Sequence, residues 1–147
     1  MLQLLTPLLA VVLVGIGIAL ETPTNALLAK TSGSVLLASL VSFIVGAVVL
    51  GVGALVTRPS LNAGWAAAPW YAWIGGAYGA FVVLASAWAT PKLGAGTTLV
   101  VIVASQVALG VALDHFGVLG LERHPASLMR LAGVALVAGG ALLIGRG

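Results

Sequence analysis

The chain has 147 residues, of which 61% are hydrophobic and only 6% are charged. A soluble domain carries about 25% charged residues, so this composition excludes a water-facing enzyme and a nucleic-acid-binding domain. The net charge of +3 comes from six basic and three acidic side chains, too few for a basic patch. Cysteine is absent, which excludes disulfides and thiol chemistry. The sequence is therefore that of a membrane protein.

Five long apolar runs divide the sequence, and each is long enough to cross a bilayer as a helix. A helical span needs about 20 mostly apolar residues. The runs are continuous rather than alternating, which favours helices over a β-barrel. We therefore predict an all-α, polytopic membrane protein. It forms a single transmembrane domain over residues 1–147, with spans at residues 2–29, 35–56, 69–89, 93–113 and 128–144.

The first run is also compatible with a secretory signal peptide. Such a peptide needs a positively charged region ahead of its apolar stretch. The first basic residue of this chain is Lys30, which follows the run. We therefore interpret the run as a retained transmembrane span.

The basic residues favour neither orientation of the chain in the membrane. Five spans place the termini on opposite sides, and the six basic residues then divide three against three: Arg58, Arg123 and Arg130 against Lys30, Lys92 and Arg146. An excess of Lys and Arg on the cytoplasmic side normally sets the orientation. Without an excess we predict insertion in both orientations. The alternative is one orientation, set by the N-terminal amine or by the depth of Arg130.

Insertion in both orientations has an architectural consequence. Many secondary transporters consist of two inverted repeats around a binding site at the bilayer midplane. This chain has five predicted spans and no detectable internal repeat, so it corresponds to one half of such a transporter. An antiparallel homodimer would supply the other half, and a chain with one fixed orientation would need an inverted homologous partner.

Polar residues within the first predicted span define a candidate site. Glu21 and Asn25 are four residues apart and share one face of a helix. An acidic residue inside a span is costly and indicates a function. Such a carboxylate can hold a proton or a cationic substrate, but not both. The alternative is that the span ends at Leu20 and that Glu21 lies at the membrane interface.

Other polar residues are assigned to the same cavity or to helix contacts. Gln106 in the fourth span is large and costly to bury, so we predict that it lines the cavity. Trp70 and Tyr71 are predicted near the cavity mouth. The serines and threonines of the spans, such as Ser39 and Thr98, are predicted to form hydrogen bonds between helices.

Small residues predict close helix packing, and the remaining chemistry is sparse. Gly75, Gly79 and Gly139 belong to small-xxx-small patterns that let helices approach each other in lipid. Two histidines are too few for a metal site, and no cofactor is predicted. No nucleophile and base occur together in the sequence, so an enzyme is not expected.

Segments spread over most of the chain share a pattern with one known family. They are residues 25–29, 33–34, 40–46, 69–76, 79–80, 91–95, 106, 114–120 and 130–133. The most specific of them begins Asp114-His115-Phe116-Gly117. On these segments the sequence resembles the YdcZ-type family of small bacterial inner-membrane proteins, which belongs to the drug/metabolite transporter superfamily.

The resemblance implies a multi-pass protein of the bacterial inner membrane with five helices. It also implies dual-topology homodimers or fused ten-span chains. Glu21 is a departure, because the family often has Gln four residues before the Asn. Glu21 resembles in its placement the first-helix Glu with which the small multidrug-resistance exporters bind substrate and proton.

Together, these features predict a small secondary transporter or exporter that uses alternating access at an antiparallel dimer interface. Its partners would be the bilayer, a second copy or inverted homologue, and a small-molecule substrate, with cationic and amphipathic compounds as first candidates. One alternative is a dual-topology ion channel, although the sequence has no ring of like charges and no filter-like motif. The other is a non-transporting scaffold, against which the intramembrane Glu21 and Gln106 argue.

Overall fold

The computed structural model describes residues 2–60, 62, 64 and 67–147. Within these residues all regular structure is helical, and five helices are long and apolar enough to cross a membrane. They are α1 (Leu2–Ser32), α2 (Val35–Thr57), α3 (Gly75–Leu93), α4 (Ala95–Phe116) and α5 (Leu128–Arg146). The predicted all-α class with five membrane-length helices is confirmed.

Local hydrogen bonds explain where several helices begin and end. Ser34 caps α2, since its hydroxyl accepts from the N–H of Leu37 at 3.2 Å. Ser127 caps α5 in the same way by accepting from the N–H of Arg130 at 3.2 Å. Each serine satisfies a first-turn N–H that has no partner within the helix. At the end of α4, Gly117 has a φ of 63°, a conformation that glycine adopts without steric cost.

The connection between α3 and α4 is shorter than the sequence predicts. The third span was expected to end before Thr90-Pro91-Lys92, but α3 continues to Leu93 and α4 begins at Ala95. Pro91 lies in the last turn of α3, where its missing N–H removes a single intrahelical hydrogen bond. The turn is made by Gly94, whose φ is 81°.

Large apolar side chains lie on the outside of the chain, and the buried positions are small or polar. Leu50 and Leu55, for example, are 75% and 77% exposed. The buried residues of the described part of the chain are Thr22, Asn25, Ala26, Ala29, Ala38, Ser39, Val83, Ser86, Ala87, Thr90, Thr98 and Ala141. In lipid, apolar side chains need no burial, whereas small residues let helix backbones approach each other closely. The distribution is that of a protein built for a bilayer.

The helices form two compact units, the first ending at Pro91 and the second running from Lys92 to Gly147. In the first unit α1 and α2 pack against each other. Gly79 of α3 lies beside Phe43 of α2, and a Cβ on this glycine would be 3.4 Å from Phe43 Cζ. A Cβ on Gly75 would meet no described neighbour within 4 Å. The predicted packing role of Gly75 therefore stays a prediction.

The second unit is an antiparallel hairpin of α4 and α5. The end of α5 lies beside the start of α4: a Cβ on Gly145 would be 3.5 Å from Thr97 Cγ2, and one on Gly96 would be 3.9 Å from Ile144 Cγ2. Gly139, near the middle of α5, has no described neighbour within 4 Å of such a Cβ. Its packing role, like the predicted single-domain organisation, stays a prediction.

Candidate substrate-binding site

Glu21 lies inside α1 rather than at its end. The helix continues to Ser32, beyond the predicted end at residue 29, and the run that is apolar enough to cross a membrane is Leu5–Ser32. At 1.5 Å per residue, Glu21 is about 16 Å from the C-terminal end of the helix. The helix therefore does not end at Leu20, and the intramembrane position of Glu21 stays a prediction.

Glu21 and Asn25 form a hydrogen-bonded pair on one face of α1. Asn25 is buried, with 5% of its surface exposed, whereas Glu21 is exposed on the chain surface. Asn25 Nδ2 donates to Glu21 Oε1 at 3.4 Å, which is longer than a typical bond. The second carboxylate oxygen of Glu21 and the amide oxygen of Asn25 are both acceptors. The pair can therefore bind a cation or a hydrogen-bond donor.

Pro23 lies between Glu21 and Asn25 in α1 and changes the backbone hydrogen bonds of this turn. The hydroxyls of Thr22 and Thr24 donate to backbone carbonyls one turn earlier, at 2.9 and 2.7 Å. Pro23 has no N–H to donate to the carbonyl of Ala19. The turn that carries Glu21 thus contains a further backbone acceptor without its usual helical donor.

Trp70 and Tyr71 lie in a short 3-10 helix, Trp70–Ile74, that leads into α3. Both rings are exposed, and they meet edge to face with centroids 6.0 Å apart and an interplanar angle of 79°. Among the described residues of the first unit, no hydrogen bond or ring contact joins these rings to Glu21 or Asn25. Their place at the cavity mouth stays a prediction.

Gln106 lies near the middle of α4, in the second compact unit, and is exposed. It is about 16 Å along the helix from Ala95. A primary amide at this depth of a membrane-spanning helix would lie in hydrocarbon if nothing covered it, which is costly. Gln106 therefore needs a polar or protein neighbour in the membrane, and its predicted place in the cavity stays a proposal.

Several hydroxyl groups of the spans, including those of Ser39, Thr98 and Ser105, donate to carbonyls one turn back along the chain. Ser39 donates to the carbonyl of Val35 at 2.9 Å, and Thr98 donates to that of Gly94 at 2.8 Å. Ser105 likewise bonds one turn back, at 2.9 Å. The prediction of interhelical donation is wrong for these residues, because a serine or threonine in a helix finds a carbonyl acceptor without leaving it.

A second polar cluster, which we call the α4–α5 latch, contains residues of the family resemblance, but the contacts between them were not predicted from the sequence. It consists of Asp114, His115, Arg123, His124, Ala126 and Arg130. Asp114, in the last turn of α4, forms an ion pair with Arg130, in the first turn of α5. Arg130 Nη1 also donates to the carbonyl of His124 at 2.9 Å. The N–H of His124 donates in turn to the carbonyl of Asp114 at 2.8 Å.

The remaining latch contacts centre on His115. Its Nδ1 accepts from the N–H of Ala126 at 3.0 Å, and its carbonyl accepts from Arg123 Nε at 3.0 Å. Arg123 passes very close to Gly117: a Cβ on Gly117 would be 3.0 Å from Arg123 Cβ. The latch therefore holds the second half of the connection, Arg123 to Ala126, against the end of α4.

One sequence signal could have indicated the latch. Asp114 and Arg130 carry opposite charges and flank the connection between the fourth and fifth predicted spans. An antiparallel hairpin brings the end of one span beside the start of the next, so the two charges could have been paired. The contacts of His115 have no such signal, since they depend on the path of residues 117–127.

Five membrane-length helices with apolar exteriors and an acidic–amide pair inside one of them define a polytopic helical membrane protein. A profile described as "Putative inner membrane exporter, YdcZ" matches residues 6–143, and the chain belongs to this family. The inner membrane protein YdcZ of Escherichia coli (strain K12) is 33% identical over 136 residues, which cover 90% of this chain and 89% of that protein. No solved structure matches the chain.

Family membership confirms the resemblance and the inner-membrane localisation. The description of the family is that of an exporter and not of an enzyme.

Proposed function

We propose that this chain exports small molecules by alternating access in an antiparallel homodimer, with Glu21 and Asn25 at the centre of the binding site. One observation carries the proposal: an exposed carboxylate, hydrogen-bonded to a buried amide, lies within a membrane-length helix. A carboxylate facing lipid tails is costly. In the bilayer Glu21 therefore faces a water-filled cavity or a partner.

A second copy in the opposite orientation would provide the cover that the exposed polar residues need. Glu21 on α1 and Gln106 on α4 are both exposed within membrane-length helices. The balance of three basic residues against three supports insertion in both orientations. An inverted pair has the symmetry on which alternating access depends in many secondary transporters.

The chemistry of Glu21 favours cationic and amphipathic substrates. An ionised carboxylate attracts a cation, and Asn25 holds one of its oxygens through Nδ2. A proton and a cation compete for the same carboxylate, so export of one is coupled to entry of the other. The aromatic rings of Trp70 and Tyr71 would attract a cation at the entrance, and the amide of Gln106 would line the path.

Transport by reconstituted protein tests this proposal, with the lipophilic cation tetraphenylphosphonium as the probe. We expect saturable, pH-driven flux with counter-transport. Glu21→Gln removes the charge and should lower flux about tenfold to a hundredfold, as expected for loss of a charged hydrogen-bonding group worth about 1.5–3 kcal/mol. Glu122→Gln is the matched control, since the Glu122 side chain is 88% exposed in the α4–α5 connection. It should transport like the wild type.

Other outcomes would contradict specific parts of the proposal. Wild-type flux with unchanged pH dependence in Glu21→Gln would remove Glu21 from the mechanism. Electrogenic flux that does not saturate would favour the ion channel. No flux of the probe by correctly inserted protein would contradict transport of lipophilic cations and favour the scaffold.

A further inference from the structure

The hydrogen bond between His115 and Ala126 requires one protonation state of the imidazole. His115 Nδ1 accepts from the N–H of Ala126, with 3.0 Å between the two nitrogens. A backbone N–H can only donate, and a doubly protonated imidazole has no acceptor left. The bond therefore selects the neutral imidazole with its proton on Nε2. With a proton on Nδ1, the Nδ1–H and the N–H of Ala126 would point at each other and repel.

We infer that the bond between His115 and Ala126 makes the α4–α5 latch pH-sensitive: this bond forms while His115 is neutral and breaks on protonation of Nδ1. Breaking it releases the N–H of Ala126, the residue before the α5 N-cap Ser127. The ion pair between Asp114 and Arg130 does not involve the imidazole, so it keeps the two helix ends together in both states. This pH-sensitive switch thus loosens the connection without separating the hairpin.

The described charged and titratable groups of this hairpin end offer protonated His115 no ion pair in place of the lost hydrogen bond. They are Asp114 of α4, Glu122, Arg123 and His124 of the connection, and Arg130 of α5. Asp114 is paired with Arg130, and Glu122 lies 3.9 Å from the imidazole of His124. Within the described residues of the hairpin, neither carboxylate forms an ion pair with His115. Protonation thus breaks one hydrogen bond and forms no ion pair to replace it.

The second histidine provides a matched control. His124 contributes to the latch only through its backbone, whose N–H donates to Asp114 and whose carbonyl accepts from Arg130. Its imidazole is exposed and takes no part in these bonds. His124→Gln should therefore preserve the switch. Because the chain has two histidines, this variant also leaves a single imidazole to observe.

The experiment is an NMR titration of full-length His124→Gln protein in lipid nanodiscs, which needs no transport substrate. At high pH we expect one neutral tautomer of His115, with Nδ1 unprotonated. On acidification Nδ1 should gain a proton. Over the same interval, the protection of the Ala126 amide from hydrogen exchange, corrected for the intrinsic effect of pH, should fall about tenfold per pH unit below the midpoint.

Two variants at His115 separate the switch from a general structural role. His115→Asn keeps an acceptor close to the position of Nδ1 and does not titrate, so Ala126 should stay protected at every pH. His115→Phe removes the acceptor, so Ala126 should be unprotected at every pH, while amides in the middle of α5 report that the hairpin is intact.

Three results would overturn the inference. One is a His115 tautomer with its proton on Nδ1 at high pH. Another is protection of Ala126 that does not change while His115 titrates. The third is a His115→Asn protein that keeps the pH response of the wild type. None of these depends on whether the chain exports a substrate.

Discussion

Gly117 shows at the scale of one residue how backbone conformation determines a local structure. It ends α4 with a φ of 63°, and its N–H donates to the carbonyl of Leu113 at 2.9 Å. A Cβ at this position would be 3.0 Å from the Cβ of Arg123, the residue whose guanidinium bonds the carbonyl of His115. Both the backbone angle and the close approach therefore favour glycine here.

Gly117→Ala should lower the free energy of unfolding by about 1–2 kcal/mol, because a side chain in the left-handed region is strained and Arg123 must move. Reversible unfolding in mixed micelles measures the change. Gly133→Ala is the control, since Gly133 lies inside α5, its φ is not positive, and its Cβ would meet nothing within 4 Å. That variant should be neutral or stabilised by up to about 1 kcal/mol. Equal losses in the two variants would contradict a special role for Gly117.

At the scale of elements, the α4–α5 hairpin combines helix packing with a polar closure at one end. Small residues at the open end bring α4 and α5 together, as at Gly145 and Thr97. At the connected end the ion pair of Asp114 and Arg130 joins the two helices directly. Both side chains are about one-third exposed, which limits the free energy that the pair contributes.

Asp114→Asn and Arg130→Gln should each lower the stability of the protein by about 1–2 kcal/mol, because each leaves one member of a partly buried pair without its charged partner. Unfolding in mixed micelles again measures the effect. The exchanged double variant Asp114→Arg/Arg130→Asp should recover part of the loss. Recovery is partial because Arg130 also donates to the carbonyl of His124. Additive losses in the double variant would show that the two side chains are not coupled.

At the scale of the whole molecule, the balance of basic residues determines the proposed assembly. The three-against-three division predicts no preferred orientation, and the proposed antiparallel pair needs both orientations in one membrane. The described α4–α5 connection carries Arg123, with Arg130 close behind it. One further charge in this connection would break the balance.

A single Cys added after Gly147 tests the orientation, because the chain has no other cysteine. With a membrane-impermeant maleimide on intact cells, about half of the protein should be labelled, relative to lysed cells, if neither orientation is preferred. Adding Leu121→Arg should favour a cytoplasmic α4–α5 connection, which places the C-terminus outside and raises the labelled fraction. Labelling of all or none of the unmodified chain would exclude dual insertion and indicate an inverted homologous partner.

Much of the architecture could be predicted because it depends on local properties. Five runs of sufficient length and apolarity became five helices, and the i, i+4 spacing of Glu21 and Asn25 placed them in contact. Helix ends were less predictable, since α3 continues through Pro91 and turns only at Gly94. Proline suggests an end, but within a last turn it costs a single hydrogen bond.

The sequence by itself determined the membrane class, the number of spans and the polar pair on α1, because the bilayer sets conditions of length and polarity that each segment meets alone. Only the tertiary structure decided that Asp114 pairs with Arg130 and that His115 accepts from Ala126. Asp114 and Arg130 are 16 positions apart in the sequence, and His115 and Ala126 are 11 positions apart. They form because the hairpin and the left-handed turn at Gly117 bring separate segments together, and no local pattern specifies that path.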